Sequence, residues 1–417
     1  YVFAGDLENL STHAGRITLA QRRPDFKTLM LDRQNAFVTR PMLDIINDTL
    51  RSNIKSHLAK TKDSRSVHQV LASAHYPFSL PYDLHHHQCM LGLGAGKPTL
   101  GELNYRVSLN LPFSEDRRLY GQVSVNPEEA QKLLSGLSPA QQALLIAPMA
   151  SPASLSILKT AYGTDNLLRL DELEFFKERT GLTTEQVEQL LARGRYYPRG
   201  STNSPAPTWK NYGASYINGG EVTAALVIET QAGQRVFSNN SPERSDRLQR
   251  MIRLHRWTGI PIAELDTLIA NATRSEWAEA PTASTLRTLG VYRYLNRRHG
   301  IAPEEFASFL HDMPTHACGD RVPLFDQVFN RTQLLKSPDW NVPKGNLATW
   351  DEQAFSYLGA GLGLPVAPDS LLLLARQVSQ HLPREHDPAT VSALYRQARI
   401  ARMFGLSPLE CIELARL

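Results

Sequence analysis

The sequence predicts a mainly α-helical protein made of irregularly stacked helical hairpins with a small β insert. Apolar residues recur with the 3.6-residue period of amphipathic helices, and a glycine-centred motif repeatedly ends one helix and begins the next. The segment 196–241 lacks this period and is rich in Pro, Gly, Ser and Asn. We therefore expect two helical regions, 1–195 and 242–417, on either side of a β-rich insert at 196–241, and we expect the second region to continue beyond residue 417.

The helical period is clearest in residues 248–255 and 286–295, and it recurs in residues 173–176 and 391–403. In each stretch the apolar residues are three or four positions apart, which places them on one face of a helix. Such a face is stable in water only when it packs against a neighbour. The pattern therefore predicts helices that pack in pairs or larger groups.

The glycine motif consists of Gly, then Leu or Ile, then a polar residue or Pro, with Glu or Gln close behind. Clear copies begin at Gly181, Gly259, Gly300 and Gly405, and looser copies begin at Gly136 and Gly363. Glycine permits the left-handed conformation that ends a helix, and the following Ser, Thr or Pro begins the next one. The spacing is irregular, with 78 residues from Gly181 to Gly259 and 41 from Gly259 to Gly300. The motif predicts αα-hairpins, but not a regular solenoid.

The insert contains three runs of apolar or β-branched residues, 214–217, 222–229 and 235–237. Turn-forming residues at 218–220 and 232–233 separate them. We expect a sheet of two or three strands here. Two further stretches, 91–101 and 331–347, are predicted to be connecting loops.

The composition excludes several classes of protein. The 417 residues carry 45 Lys and Arg against 41 Asp and Glu, a net charge of +4, without the block of like charges typical of a polybasic nucleic-acid binder. Cys89, Cys318 and Cys411 are odd in number and far apart, which excludes a disulfide scaffold and a Cys-rich zinc site. No apolar run approaches the roughly 18 residues of a membrane span. The chain begins at Tyr1 without a visible signal peptide and stops at Leu417 inside a predicted helix, and we interpret it as a piece of a longer protein.

Two motifs resemble reactive sites. The sequence His85-His86-His87 followed by Cys89 contains zinc-ligand residue types, and only His85 and Cys89 have the four-residue spacing of ligands on one helix face. The run Gly92–Pro98 resembles a phosphate loop, but Pro98 follows Lys97 where that loop needs Ser or Thr, and Leu91 replaces its first Gly. We expect a partly exposed helix face and a connecting loop, with no cofactor, no metal ion and no catalytic residue.

A surface or interface role is predicted for two groups of residues. The aromatic residues Trp209, Tyr212 and Tyr216 are of the type that stacks on sugars or bases, although packing of the insert against helices explains them more simply. Arg250 and Arg253 belong to a row of arginines at three-residue steps from 244 to 256. This row is predicted to form a solvated or interhelical stripe.

Several strings occur together in an order that resembles the A component (TcA) of bacterial Tc (toxin complex) insecticidal toxins and its virulence-plasmid A protein region. They lie at residues 22–31, 43–50, 75–82, 173–191, 212–218, 247–254 and 324–330. The likeness covers roughly residues 20–417. The chain differs from the family in its short β insert and in residues 91–119, which do not match clearly.

This resemblance implies a secreted or cell-surface toxin component without enzymatic activity. In the family, the A subunit forms a pentamer whose α-helical shell surrounds a translocation channel. It binds the host surface through a receptor or glycan and, with the B and C components, delivers a toxic enzyme into host cells. The chain would then be the N-terminal shell fragment of this pore-forming component. It would contact other copies and the B and C components but bind no nucleic acid and span no membrane itself.

Two alternatives remain open from the residues alone. The first is a freestanding helical virulence effector or protein-interaction module. The second is a metal or nucleotide enzyme built around residues 85–97.

Overall fold

The computed structural model describes residues 37–94, 98–110, 132–147, 153–201, 211–219, 224–275, 281–330, 347–381 and 387–415, together with residues 30, 32, 33 and 343. These residues form two compact units, Tyr1–Ala74 with Tyr82–Leu84 and His75–Pro81 with His85–Leu417, which we describe separately.

The helices in the described ranges are α1 Met42–Thr61, α2 Val67–Ser73, α3 Leu84–Gly94, α4 Leu100–Asn110, α5 Pro139–Ile146, α6 Ala153–Tyr162, α7 Leu173–Thr180, α8 Thr184–Leu190, α9 Ser215–Asn218, α10 Pro242–Thr258, α11 Ile262–Ser275, α12 Ala283–His299, α13 Pro303–Leu310, α14 Leu324–Phe329, α15 Glu352–Leu362, α16 Leu371–His381, α17 Asp387–Phe404 and α18 Pro408–Ala415. The strands are β1 Pro198–Gly200, β2 Val227–Gln231, β3 Gln234–Ser238 and β4 His316–Cys318. Short 3-10 turns lie at Leu167–Asp171, Gly194–Tyr196 and Leu347–Thr349. The predicted fold class, mainly α with a small β insert, is confirmed.

The first unit consists mainly of α1 and α2, which pack against each other. Helix α1 ends at Lys62, whose left-handed conformation (φ 54°) lets its N–H bond the carbonyls of Ala59 and Leu58. Helix α2 begins with a capping box, because Ser66 accepts from the N–H of Gln69 and the Gln69 side chain accepts from the N–H of Ser66. Leu58 and Val67 are buried between them.

The second unit contains two apolar cores. The larger is built from helices α5 to α13, and Phe78 and the β3 residue Phe237 also belong to it. The smaller is built from α14 to α17, and Phe309 at the end of α13 packs against both cores. The tightest helix pairing joins α11 to α13, and α13 in turn contacts α17. In this stacking, the loop before α3 and the C-terminal ends of α5 and α7 contact one central helix, α10.

The predicted glycine motif is confirmed. Gly181, Gly259 and Gly300 end α7, α10 and α12 in the left-handed conformation, with φ of 68°, 69° and 65°. The apolar residues that follow them are buried: Leu182, Ile260 and Ile301. Gly363 and Gly405 have the same conformation. The hairpin connections are short because one residue ends a helix and its neighbour already packs into the core.

The insert holds a two-stranded hairpin, β2–β3, whose turn at Ala232-Gly233 has positive φ at both residues (49° and 80°). The prediction of a strand at 214–217 is wrong, since Ser215–Asn218 forms the short helix α9. Asp266 accepts hydrogen bonds from the N–H groups of Ser215 and Tyr216, at 3.0 and 2.8 Å, and thereby fixes the first turn of that helix. A second sheet pairs β1 with β4, which lies far along the chain, and the sequence did not predict it.

The two predicted loops also differ in detail. Helix α3 extends to Gly94 and α4 begins at Leu100, so the stretch 91–101 is partly helical. Most of the predicted loop 331–347 lies outside the described residues. Within the ranges described, every helix is too short or too polar to cross a lipid bilayer.

Candidate functional site

Helix α10 carries a concentrated set of charged side chains in the interior of the second unit. It begins with Ser241, whose side chain accepts from the N–H of Arg244, followed by Pro242, and it ends at Gly259. Its five arginines are spaced by three residues, whereas one turn takes 3.6, so the row winds around the helix. The guanidinium groups therefore reach several neighbouring segments. This row (Arg244, Arg247, Arg250, Arg253 and Arg256) is called the arginine row below.

Arg250 binds a carboxylate and two main-chain carbonyls at once. Its Nε donates to Asp246 at 2.8 Å, Nη1 donates to the carbonyl of Leu145 at 2.7 Å, and Nη2 donates to that of Ala147 at 2.5 Å. Asp246, one turn earlier on α10, also accepts from the Gln249 side chain. The contact fixes the end of helix α5 and the residue after it, both distant in sequence from α10. Charge-assisted bonds of this kind are stronger than neutral ones.

Arg253 is the largest fully buried side chain among the described residues, with 1 % of its surface exposed. Its two terminal nitrogens donate to the carbonyls of Ser79 and Tyr76, at 3.0 and 3.2 Å. Burial lowers the pKa of the guanidinium to about 10, which still leaves it charged at neutral pH. A buried charge is costly unless it is hydrogen-bonded, and these two bonds offset part of that cost, since the buried Nε has no partner among the described residues. Arg253 therefore holds the loop before α3 firmly to the core.

The ends of the arginine row fix two further segments. Arg244 donates to the carbonyls of Asn239 and Ala224, on either side of the β2–β3 hairpin. Arg256 donates to the carbonyls of Phe78 and Thr180, and thus joins the loop before α3 to the end of α7. Burial lowers the pKa of the Arg244 guanidinium, and the partial removal of Arg256 from water lowers the pKa of that group as well. Together the arginines replace the water that would otherwise satisfy these loop carbonyls.

A second buried polar cluster lies where α9, α11, α13 and β4 meet. Arg321 forms ion pairs with Glu264 on α11 and with Glu304 at the start of α13, the latter at 3.2 Å. Burial raises the pKa of Glu304 to about 7 and that of Asp266 to about 6. Both carboxyl groups therefore titrate at a higher pH than exposed carboxyl groups do. The nearby Cys318 is no nucleophile there, because burial raises the pKa of its thiol to about 12.

The structure places four of the five predicted surface residues in the interior. Tyr212 and Tyr216 are buried, and the Tyr212 hydroxyl lies 3.1 Å from that of Thr267. Arg250 and Arg253 are buried as described above. Tyr212 and Tyr216 thus pack inside the second unit, which is the simpler of the two explanations given for them, and internal carbonyls accept hydrogen bonds from Arg250 and Arg253. The arginine row was predicted to be either solvated or interhelical. Its buried members are interhelical, whereas Arg256 is exposed. Trp209 lies outside the described residues, and a contact of any of the five with another chain stays a prediction.

The two motifs that resembled reactive sites lie in and after helix α3. His86 Nε2 lies 2.9 Å from the carbonyl of Gly136, and Cys89 is exposed. In the part of the chain that the structure describes, no group of three or more His, Cys, Asp or Glu side chains is placed to hold a metal ion. Residues 95–97 of the glycine-lysine run lie outside the described residues.

Sequence reasoning missed Asp266, Glu304 and Arg321. Asp266 had a signal, since it is a charged residue among the apolar residues Leu265, Leu268 and Ile269 of α11. Such a residue is buried only if it is bonded. Arg321 had none, because it stands in a short loop and both of its partners lie on helices that come earlier in the chain.

Comparisons with known proteins find relatives of this chain among virulence proteins and toxin subunits. Residues 1–183 match a family model described as Salmonella virulence plasmid 28.1kDa A protein. Over 267 residues, which are 57 % of this chain and 22 % of the relative, the sequence is 30 % identical to the toxin subunit YenA1 of Yersinia entomophaga. The chain is similar to the A subunits of Tc toxins. It spans about a fifth of the length of that curated relative.

One solved structure shows a similar helical fold. TcdA4 of Morganella morganii superposes with a TM-score of 0.59 over 96 % of this chain and 21 % of that one, at 13 % identity. A structure of TcaA-TcaB from Yersinia pseudotuberculosis gives a TM-score of 0.43 at 16 % identity, over 97 % of this chain and 16 % of that one. Because the identity to TcdA4 is low, that superposition supports the helical fold and no more. The predicted resemblance to Tc toxin A subunits is nevertheless confirmed by the sequence matches.

Proposed function

We propose that the chain is the α-helical shell region of a Tc toxin A subunit, the pore-forming and host-binding component that translocates a toxic enzyme into host cells. The observation that carries the proposal is the 30 % identity over 267 residues to a toxin subunit. In this proposal the region has no catalytic role. The helical regions 1–195 and 242–417 belong to the shell, the insert 196–241 joins them, and the whole protein is secreted or displayed on the bacterial surface.

The arginine row suits such a role, because it is a structural device. Four of its side chains donate hydrogen bonds to loop carbonyls: Arg244, Arg250, Arg253 and Arg256. These bonds make a helical wall rigid without a larger apolar core. The proposed partners are further copies of the A subunit in a pentamer, the B and C components, and a receptor or glycan on the host. A rigid wall is what a shell around a channel requires.

The test is imaging and activity of the natural full-length protein. Negative-stain electron microscopy should show five-fold particles, and addition of the B and C components should make the protein toxic to cultured host cells. Omission of either component is the matched control. Monodisperse small particles with no toxicity in the presence of B and C would overturn the proposal.

A second candidate is a freestanding helical virulence effector. The family match over residues 1–183 favours it, since the description of that family names a virulence protein of 28.1 kDa and no toxin complex. An immunoblot of the producing bacterium with antibodies against residues 242–417 separates the two. A band at the mass of this chain indicates the effector, and a band several times larger indicates the toxin subunit.

A further inference from the structure

One short stretch of the first unit carries a clear excess of positive charge. Residues 51–68 contain five Lys and Arg and a single Asp, a net charge of +4, which equals the net charge of all 417 residues. The stretch covers the second half of α1, the turn after it and the start of α2. Unlike the mostly buried arginine row of α10, the cations of this stretch are exposed, so they mark a positive local surface.

Three of these cations border an open groove between α1 and α2, with a volume of about 570 Å³. Arg51 and Lys55 are one turn apart on α1, and Arg65 stands in the turn before α2. The apolar side chains of Leu58, Ala59 and Val67, together with His68 and Ser66, contribute to its lining. The groove therefore combines an apolar floor with a rim of three cations and one carboxylate, that of Asp63.

The rim is partly held in place before any ligand arrives. Arg65 donates to both carboxylate oxygens of Asp63, at 2.7 to 3.1 Å, and this guanidinium lowers the pKa of Asp63 to about 2. Arg51 lies 3.7 Å from Asp48, which is too long for a strong hydrogen bond. Within the described ranges, Lys55 forms no ion pair with a carboxylate. Among the described residues, Arg51 and Lys55 therefore have N–H donors that make no strong hydrogen bond within the protein.

We propose that this groove binds a phosphate ester, with the phosphate between Arg51, Lys55 and Arg65 and the organic part on Leu58, Ala59 and Val67. A phosphate presents several acceptor oxygens and two negative charges, which match guanidinium and ammonium donors from three positions. The apolar floor adds contacts that inorganic phosphate cannot make. The ester is either soluble or the headgroup of an anionic phospholipid. The inference goes beyond the proposed function and does not depend on it.

The experiment measures binding of the full chain to both sources. Isothermal titration calorimetry with glucose 6-phosphate and with phenyl phosphate tests soluble esters, and flotation with phosphatidylcholine vesicles, with and without phosphatidic acid, tests the headgroup. We expect binding of phenyl phosphate or of the phosphatidic acid vesicles. Binding of the soluble ester alone assigns a soluble source, and binding of the vesicles alone assigns the headgroup.

The decisive comparison is between two double variants with the same change in net charge. Arg51→Gln with Lys55→Gln removes two donors from the rim, and we expect binding to weaken by about tenfold or more. Lys60→Gln with Lys62→Gln alters neighbouring cations that do not line the groove, and we expect less than about a twofold change. Equal losses in both variants would show diffuse charge attraction and overturn the proposal. Absence of binding to every probe would overturn it as well.

Discussion

Helices α1 and α10 are made of similar residues but have opposite surroundings. They are 20 and 17 residues long, and both mix apolar residues at helical spacing with several basic ones. Ten residues of α10 are buried, including three arginines, whereas only Leu58 of α1 is buried. On α1 the side chains of Met42, Leu43 and Leu50 remain more than half exposed.

The difference in burial between α1 and α10 depends on the segments that pack against each helix rather than on the residues of the helix itself. Several segments of the second unit converge on α10 and bring unsatisfied carbonyls with them, so that arginine becomes the residue that fits. In the first unit α1 packs against α2 at one end, and its cations face solvent. The same residue type is therefore structural in one helix and free to bind a ligand in the other. The following predictions test this contrast, each with a matched pair of variants.

The largest effect is expected from removing a buried arginine. Arg253→Ala should destabilise the second unit by about 3–5 kcal/mol, because it leaves a large cavity and two unbonded carbonyls, those of Tyr76 and Ser79. Arg51→Ala on α1 should change stability by less than about 0.5 kcal/mol, as for an exposed ion pair. Urea unfolding followed by circular dichroism measures both. Similar losses for the two variants would contradict the contrast between the helices.

Apolar side chains should differ in the same direction. Leu248 on α10 is 1 % exposed, and Leu248→Ala should cost about 3 kcal/mol through lost burial and the cavity that remains. Leu50 on α1 is 54 % exposed, and Leu50→Ala should cost less than about 1 kcal/mol. Thermal unfolding of both variants provides the measurement. A large loss for Leu50→Ala would mean that another part of the protein covers this face of α1 in solution.

The pH dependence of stability should come from the second unit. Burial raises the pKa of Glu304 from 4.5 to about 7, so folding takes up a proton between these values. The stabilisation is complete below pH 4.5 and is lost as the pH rises through 7. In Asp63 of the first unit the pKa is lowered, so its contribution has the opposite sign and is lost only in strong acid.

Glu304→Gln isolates this contribution, since it keeps the shape of the side chain and removes the titrating proton. Between about pH 5.5 and 7, the difference in unfolding free energy between the variant and the unmodified chain should change by about 1–2 kcal/mol in favour of the variant. Asp63→Asn is the control and should leave that pH range unchanged. A parallel pair of pH profiles for Glu304→Gln and the unmodified chain would show that the buried carboxyl does not titrate there.

The sequence predicted local structure better than burial. Gly181, Gly259 and Gly300 were correctly predicted to end helices, because the left-handed conformation is a local requirement that few residues other than glycine meet. The β2–β3 turn was predictable for the same reason. The burial of Arg253 was not, since it depends on carbonyls in a distant part of the chain. The helix at 215–218 was missed because Asp266, which comes much later in the sequence, caps it.

The smallest effect tests the local rule itself at the ends of the two helices. Gly259 ends α10 with φ 69°, and a Cβ there would meet no other atom within 4 Å, so Gly259→Ala should cost about 1 kcal/mol from backbone strain alone. Lys62 ends α1 in the same conformation without being glycine (φ 54°), and Lys62→Gly should stabilise the end of α1 by up to about 1 kcal/mol. Hydrogen exchange at the last turn of each helix measures both changes. A loss of stability for Gly259→Ala together with a gain for Lys62→Gly would show that glycine is preferred at both helix ends, however deeply the helix is buried. A gain of stability for Gly259→Ala or a loss for Lys62→Gly would show instead that the surrounding residues determine the preference at the helix end.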